Sequence, residues 1–156
     1  MRMLRGLLVG AAAGAAGTTA LNAVTYLDMA LRGRAASSTP QDTVKALAKR
    51  AGVTIPGDQA TRDNRVEGLA PLTGITTGVA VGALMGLLRA IGFTPPSALT
   101  ALVAGSAAMA LSNGSMASLR VSDPRTWTAK DWVSDAVPHA SYGAVVTAVL
   151  HVVDAR

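Results

Sequence analysis

Four long stretches without a charged residue constrain this chain more than any other feature of its sequence. They occupy residues 6–27, 68–88, 90–119 and 136–153. A helix that crosses the hydrocarbon layer of a membrane needs about 20 apolar residues, with a range of roughly 17–25. The third stretch is too long for one helix, but Gly92, Pro95 and Pro96 interrupt it and predict a helix start near Ser97.

The pattern therefore predicts an all-α polytopic membrane protein that forms a single domain over residues 1–156. Four transmembrane helices are expected, at about residues 6–28, 68–89, 97–119 and 135–154. The first stretch also resembles a secretory signal peptide, because Arg2 and Arg5 precede it. Since the apolar residues continue to Leu27, we interpret it as a membrane-crossing helix.

The composition supports a lipid environment. Hydrophobic residues make up 50% of the chain, charged residues 15% and aromatic residues 3%, whereas average soluble domains carry about 25% charged residues. Small apolar side chains suit helices that approach each other closely in lipid. The net charge of +5 comes from basic residues that flank the uncharged stretches. We therefore expect the lipid bilayer as a partner and no binding of nucleic acid.

The basic residues also predict an orientation. Four crossings put both chain termini on one side, and the connections at about 32–65 and 120–134 on the other. Seven basic residues lie in the first connection and three in the second, out of 14 in the chain. The positive-inside rule then predicts cytoplasmic loops and external termini for a protein of the bacterial inner (plasma) membrane.

A short amphipathic helix is predicted in the first loop. Thr39 and Asp42 have the spacing of a capping box, Pro40 suits a first helical turn, and Gly52 ends the helix. The helix is basic on one face, and two interpretations stay open: it lies on the anionic leaflet, or it packs over the end of the bundle. In the second loop, Trp127 and Trp132 are expected at the membrane interface.

Glycines recur every fourth residue in the first two predicted transmembrane helices. They are Gly6, Gly10 and Gly14 in the first helix and Gly74, Gly78, Gly82 and Gly86 in the second. Such a stripe lets two helix backbones approach closely, so it predicts helix–helix contact. The sequence leaves open whether the contact lies inside the bundle, with another protein, or with a second copy of this chain.

No acidic residue, lysine or arginine lies near the middle of a predicted helix, and Asp28, about one turn from a helix end, comes closest. We expect Asn22 and Asn113 to contact each other, and Asp28 to pair with Arg32 or Arg120. The absence of a central charge argues against an ion-driven transporter. A transporter or channel for an uncharged or lipidic solute is the alternative, with a cavity lined by Asn22, Thr76 and Asn113.

Asp135, His139 and Tyr142 follow one another at helical spacing. Of all the side chains in the sequence, these are the strongest candidates for a chemical site. They suggest a metal site, a proton relay, an acid–base pair or a helix start. A helix that begins near Asp135 makes this residue the N-cap, and this is the interpretation we prefer. The chain has no cysteine, two histidines and no known catalytic motif. We therefore expect no enzyme activity, no cofactor and no metal.

The segments NRVEGLAPLTGITTGVAVGALMGLLR, DWVSDAVPHASYG and SSTPQDTVKALAKRAGVTIPG resemble small multi-pass membrane proteins of actinobacteria that have no assigned activity. The resemblance implies the inner membrane of a high-GC Gram-positive bacterium. It permits a role as an accessory subunit of an envelope or lipid-transport complex. Our leading hypothesis is a non-enzymatic accessory or assembly subunit that binds a larger membrane complex or itself through its glycine stripes.

Overall fold

The computed structural model describes residues 1–154, and every regular element in that part of the chain is helical. The all-α prediction is confirmed. Residues 155 and 156, which the predicted domain includes, lie outside the described residues. The elements are α1 (Arg2–Arg32), α2 (Thr39–Arg50), α3 (Gln59–Ala90), α4 (Ser97–Ser118), a 3-10 turn (Pro124–Thr126) and α5 (Ala129–Asp154).

Three helices within residues 1–154 are long and apolar enough to cross a membrane, and not four as the sequence predicted. They are α1, α3 and the Ala129–Val153 part of α5. The helix that differs from the prediction is α4. It has 22 residues, which is long enough to cross a membrane, and it contains no charged residue. Its last turns contain Ser112, Asn113, Ser115 and Ser118, and these polar side chains lower the mean hydropathy of its 18-residue segments below that of the most apolar segments of the other three helices.

The helices alternate in direction. Gly6 lies against Gly86, and Gly14 lies against Gly78, so α1 and α3 are antiparallel. In addition, α1 packs against α5, and α5 packs against α4. The start of α1, the α3–α4 turn and the end of α5 therefore lie at one end, which we call the terminal end. The opposite end carries α2 and the segment between α4 and α5, and we call it the α2 end.

Two hydrophobic clusters hold the helices together. The larger lies in the bundle and consists of Ala13, Val81, Met85, Ala104, Ala108, Tyr142, Val146 and Leu150. Tyr142 is its largest fully buried side chain. The smaller consists of Val44 on α2 and Val66 and Ala70 on α3, with Ile55 packed against them. The predicted amphipathic helix is thus present as α2, and it packs against the start of α3.

The helix α3 begins at Gln59, nine residues before the predicted position of 68. The Asp58 carboxylate caps it by accepting a hydrogen bond from the Thr61 backbone N–H at 2.8 Å. Hydrogen bonds from Thr61 hold the pKa of Asp58 below its ordinary value. At 1.5 Å per residue, a helix of 32 residues is about 48 Å long, whereas the hydrocarbon layer is about 30 Å thick. The charged first turns of α3 therefore extend beyond the apolar part.

Candidate functional site

Six of the seven predicted packing glycines lie in the contact between α1 and α3. A Cβ atom on Gly86 would lie 2.7 Å from the Cα atom of Gly10 and 2.9 Å from its backbone nitrogen. A Cβ atom on Gly82 would meet the carbonyl oxygen of Gly10. No side chain larger than hydrogen fits between backbones at this separation. Of the alternatives that the sequence left open, the structure shows packing within the bundle.

Gly74 is the exception, because it takes no part in the contact between α1 and α3. Nothing lies within 4 Å of the position that its Cβ atom would take. A repeat of four residues on a helix of 3.6 residues per turn rotates by about 40° at each step. Between Gly86 and Gly74 the stripe therefore turns away from α1.

Two further close contacts involve glycines outside the predicted stripes. Gly17 on α1 faces the Tyr142 ring, with its Cβ position 2.7 Å from a ring carbon. Between α4 and α5, Gly105 faces the carbonyl oxygen of His139, and Gly143 faces the backbone of Ala101. These glycines are isolated in the sequence and show no repeat, so their spacing gave no signal.

A polar cluster joins α4 to α5 at the α2 end. The Asn113 side-chain amide donates to the Asp135 carboxylate at 2.8 Å. His139 lies one turn further along α5, and its Nδ1 is 2.7 Å from the Asp135 carbonyl oxygen and 3.4 Å from the carboxylate. Its Nε2 is 3.4 Å from the Ser112 hydroxyl. A carboxylate, an imidazole, an amide and a hydroxyl therefore meet where α4 and α5 pack.

The hydrogen bonds define the role of each nitrogen of His139. A carbonyl oxygen only accepts, so Nδ1 carries the hydrogen in its contact with Asp135. In the neutral ring Nε2 is then an acceptor that faces Ser112. The Ser112 hydroxyl lies 3.0 Å from the carbonyl oxygens of Ala108 and Met109 on its own helix. The serine is thus engaged by its own backbone and does not have the arrangement of an activated nucleophile.

One acceptor of the cluster has no partner among the described residues. The Asn113 side-chain oxygen is buried and makes no hydrogen bond there, although its amide nitrogen is bonded to Asp135. A buried carbonyl of this kind ordinarily bonds to water or a ligand group. No group of three or more histidine, cysteine or acidic side chains that could hold a metal occurs within residues 1–154.

The sequence predicted Asp135 as the N-cap of α5, and this prediction is wrong. The helix begins at Ala129, and Asp135 lies in its second turn. The cap is formed by Thr128 and Asp131: the Thr128 backbone N–H donates to the Asp131 carboxylate at 3.0 Å, and the Asp131 N–H donates to the Thr128 hydroxyl at 3.3 Å. This reciprocal pair is a capping box. The sequence TAKD at residues 128–131 has the spacing of a capping box, but the predicted helix start did not take it into account.

Tyr142 belongs to a different environment from Asp135 and His139. Its hydroxyl donates to the carbonyl oxygen of Gly78 on α3 at 2.6 Å, deep in the bundle. The three residues that share helical spacing therefore do not form one site. The expected contact between Asn22 and Asn113 is also absent, because Asn113 bonds to Asp135 instead.

Asp28 pairs with Arg32, which is one of the two partners that the sequence predicted. The Asp28 carboxylate lies 3.0 Å from Arg32 and 2.6 Å from Arg34. Arg32 also donates to the hydroxyl of Ser134 at 3.0 Å, which connects the end of α1 to α5. Arg120, the other predicted partner, is not part of this group.

Trp127 and Trp132 contact each other at the α2 end. Their ring centroids are 5.2 Å apart in an edge-to-face arrangement, which is a favoured geometry for aromatic pairs. The Trp127 ring N–H donates to the Ser122 hydroxyl at 3.0 Å. Their location at the membrane interface stays a prediction.

The residues expected to line a solute cavity are not brought together. Thr76 is exposed and donates to the Leu72 carbonyl on its own helix at 2.7 Å. Asn113 faces α5, and Asn22 lies on α1. The transporter alternative therefore lacks the arrangement on which it depended.

An apolar groove of about 550 Å³ lies beside the junction of α2 and α3. It is lined by Val53, Thr54, Ile55, Pro56, Arg65, Gly68, Leu69 and Leu72. Arg65 closes one side by donating to the Pro56 carbonyl oxygen at 2.5 Å. The absence of a side chain at Gly68 leaves the groove open, because nothing lies within 4 Å of its Cβ position.

No family model, curated protein or solved structure matches this chain.

Proposed function

We propose that this protein is a non-enzymatic integral membrane protein of the bacterial inner membrane that acts as an accessory or assembly subunit of a larger membrane complex. Its three long apolar helices are consistent with a membrane protein. Large hydrophobic side chains point outward around the bundle, among them Leu8, Leu84, Leu102, Leu111 and Val152. Such a surface suits lipid contact, since soluble monomers rarely expose large apolar patches.

The packing of the bundle supports a structural role over transport. Paired glycine backbones close the contact between α1 and α3, and the Tyr142 ring fills the space beside Gly17. In the cluster of Asn113, Asp135 and His139, the neighbouring Ser112 hydroxyl is engaged by carbonyl oxygens of its own helix. These features supply neither a solute path nor an enzymatic centre.

The observation that carries the proposal is the small packed unit that α2 forms with the start of α3. It has its own hydrophobic cluster around Val44 and Val66, and it extends beyond the apolar length of α3. The apolar groove beside it contains Leu69 and Leu72, which are 43% and 52% exposed. An apolar groove that runs from this unit onto the apolar part of α3 favours an apolar occupant, such as a side chain or helix of a partner protein.

The proposed docking surface is not a glycine stripe. The sequence suggested that one glycine stripe faces a partner, but the two stripes face each other. The apolar groove at the α2–α3 junction is the proposed partner-binding surface instead. Complexes of the cell envelope and of lipid transport are the first to test, because the resemblance permits a role in them.

The test is purification of the full chain from its native membrane in a mild detergent, followed by mass spectrometry and measurement of particle mass. We expect a defined partner, or a second copy, that is lost in Leu69→Gln and retained in Leu47→Gln. Leu47 is the matched control because it is 44% exposed on α2 and does not line the groove. A monomeric wild-type particle without a partner would refute the proposal, as would equal loss in both variants.

A further inference from the structure

A second groove, between α2 and the end of α4, is lined by three basic side chains. Its volume is about 330 Å³, and its lining residues are Ala46, Lys49, Arg50, Ser118, Leu119 and Arg120. Within residues 1–154, no ion pair or side-chain hydrogen bond engages Lys49, Arg50 or Arg120. By contrast, Arg32, Arg34 and Arg125 each contact an aspartate.

Arg120 has an unusual backbone conformation. Its φ angle is 59°, and it is the one residue other than glycine with positive φ in the described part of the chain. Its N–H donates to Ala117 at 3.0 Å, and the Val121 N–H donates to Met116 at 2.9 Å. This ends α4 in the way that usually employs glycine. An arginine at this position carries a backbone penalty, and its side chain borders the groove.

The negative C-terminal ends of two helices neutralise only part of the positive charge in this groove. Both α2 and α4 end beside the groove, and each helix C-terminus carries about half a negative charge. The three side chains carry three positive charges and the two helix ends together carry about one negative charge, so about two positive charges remain. No acidic residue lines the groove. The remaining charge favours an anion.

We propose that this groove binds the phosphate group of an anionic phospholipid. The groove lies at the α2 end, where α4 stops and where the tryptophan pair follows. Ala46 and Leu119 give it apolar walls beside the cations, which suits a phosphate attached to a glycerol backbone and acyl chains. Arginine forks match phosphate oxygens, and each basic residue near an anionic surface contributes about 1 kcal/mol, or fivefold in affinity.

The test compares lipid binding of the full chain and of three variants, by native mass spectrometry and by stabilisation against heat in detergent with phosphatidylglycerol or phosphatidylcholine. Arg120→Gly removes a cation and relieves the left-handed backbone, so the protein without lipid should be at least as heat-stable as wild type. Its affinity for phosphatidylglycerol should fall about fivefold, and that of Lys49→Gln/Arg120→Gly about 25-fold. Lys45→Gln is the matched control, because Lys45 lies on α2, outside the groove, near Asp42.

Equal losses in Lys45→Gln and Arg120→Gly would overturn the proposal. So would equal binding of phosphatidylcholine by the wild-type protein. Stabilisation by sodium phosphate or glycerol phosphate to the same extent as by phosphatidylglycerol, at equal phosphate concentration, would assign the groove to a soluble anion and refute the lipid. The proposed partner-binding groove contains none of these three cations, so failure of either proposal leaves the other unaffected.

Discussion

At the residue scale, Tyr142 shows how a polar atom is accommodated inside an apolar bundle. Its ring fills space that Gly17 on α1 and Gly78 on α3 leave free. Its hydroxyl then reaches the carbonyl oxygen of Gly78. One side chain from α5 thus contacts two other helices, and it does so with both its apolar and its polar part.

Tyr142→Phe keeps the ring and removes only this hydrogen bond. We expect the free energy of unfolding in mixed detergent micelles to fall by about 0.5–1.5 kcal/mol, the usual net value of one such bond. Tyr26→Phe is the control, because Tyr26 is 62% exposed, and its stability should equal that of wild type. An unchanged Tyr142→Phe variant would mean that the bond to Gly78 adds nothing to stability.

At the scale of elements, the contact between α1 and α3 depends on paired glycines. Close backbone approach replaces the interlocking of large side chains that stabilises most helix pairs. Six glycines take part, and Gly74 on α3 does not. The chain therefore offers two glycines of one helix that differ in environment but belong to the same sequence repeat.

Gly82→Ala should destabilise the protein by about 1–3 kcal/mol, because the added methyl group overlaps the Gly10 backbone and forces the helices apart. Gly74→Ala adds the same atom in open space, and the greater helix propensity of alanine should stabilise α3 by up to about 1 kcal/mol. Heat denaturation in detergent measures both variants. Equal destabilisation of the two would show that the spacing, and not the α1 contact, decides the effect.

The sequence predicted where the long helices lie, and it predicted the start of α4 at Ser97, but it did not predict where α3 and α5 begin. Both α3 and α5 start earlier than expected, because charged first turns such as the one with Arg62 and Asp63 remain helical outside the apolar part. Charge marks the edge of an apolar segment and has little effect on whether a helix continues. The Asn113–Asp135 bond was not predictable either, since one sequence does not reveal how two helices rotate toward each other.

At the scale of the whole molecule, the alternating helices give the protein two different ends. The terminal end joins helices by the short α3–α4 turn, whereas the α2 end carries an additional helix, the polar cluster and both grooves. Together with the distribution of basic residues, this arrangement predicts that the α2 end faces the cytoplasm.

The absence of cysteine permits a direct test with single cysteines and a maleimide that does not cross membranes. Thr94→Cys, in the α3–α4 turn, should react in intact cells. Ala36→Cys, between α1 and α2, should react only after the membrane is permeabilised. Reaction of both positions from the same side would contradict the antiparallel arrangement of α1 and α3 in a membrane, and the reverse pattern would invert the predicted orientation.

The pairing of α1 with α3 also has a consequence for how the protein is made. The ribosome releases α1 first, while its glycine partners on α3 follow only after the first loop and α2. At roughly 5–20 residues per second, several seconds pass before Gly10 meets Gly82. During that interval the backbone of α1 is covered only by lipid or by the insertion machinery. A chain interrupted before α3 would keep the glycine face of α1 without its partner helix.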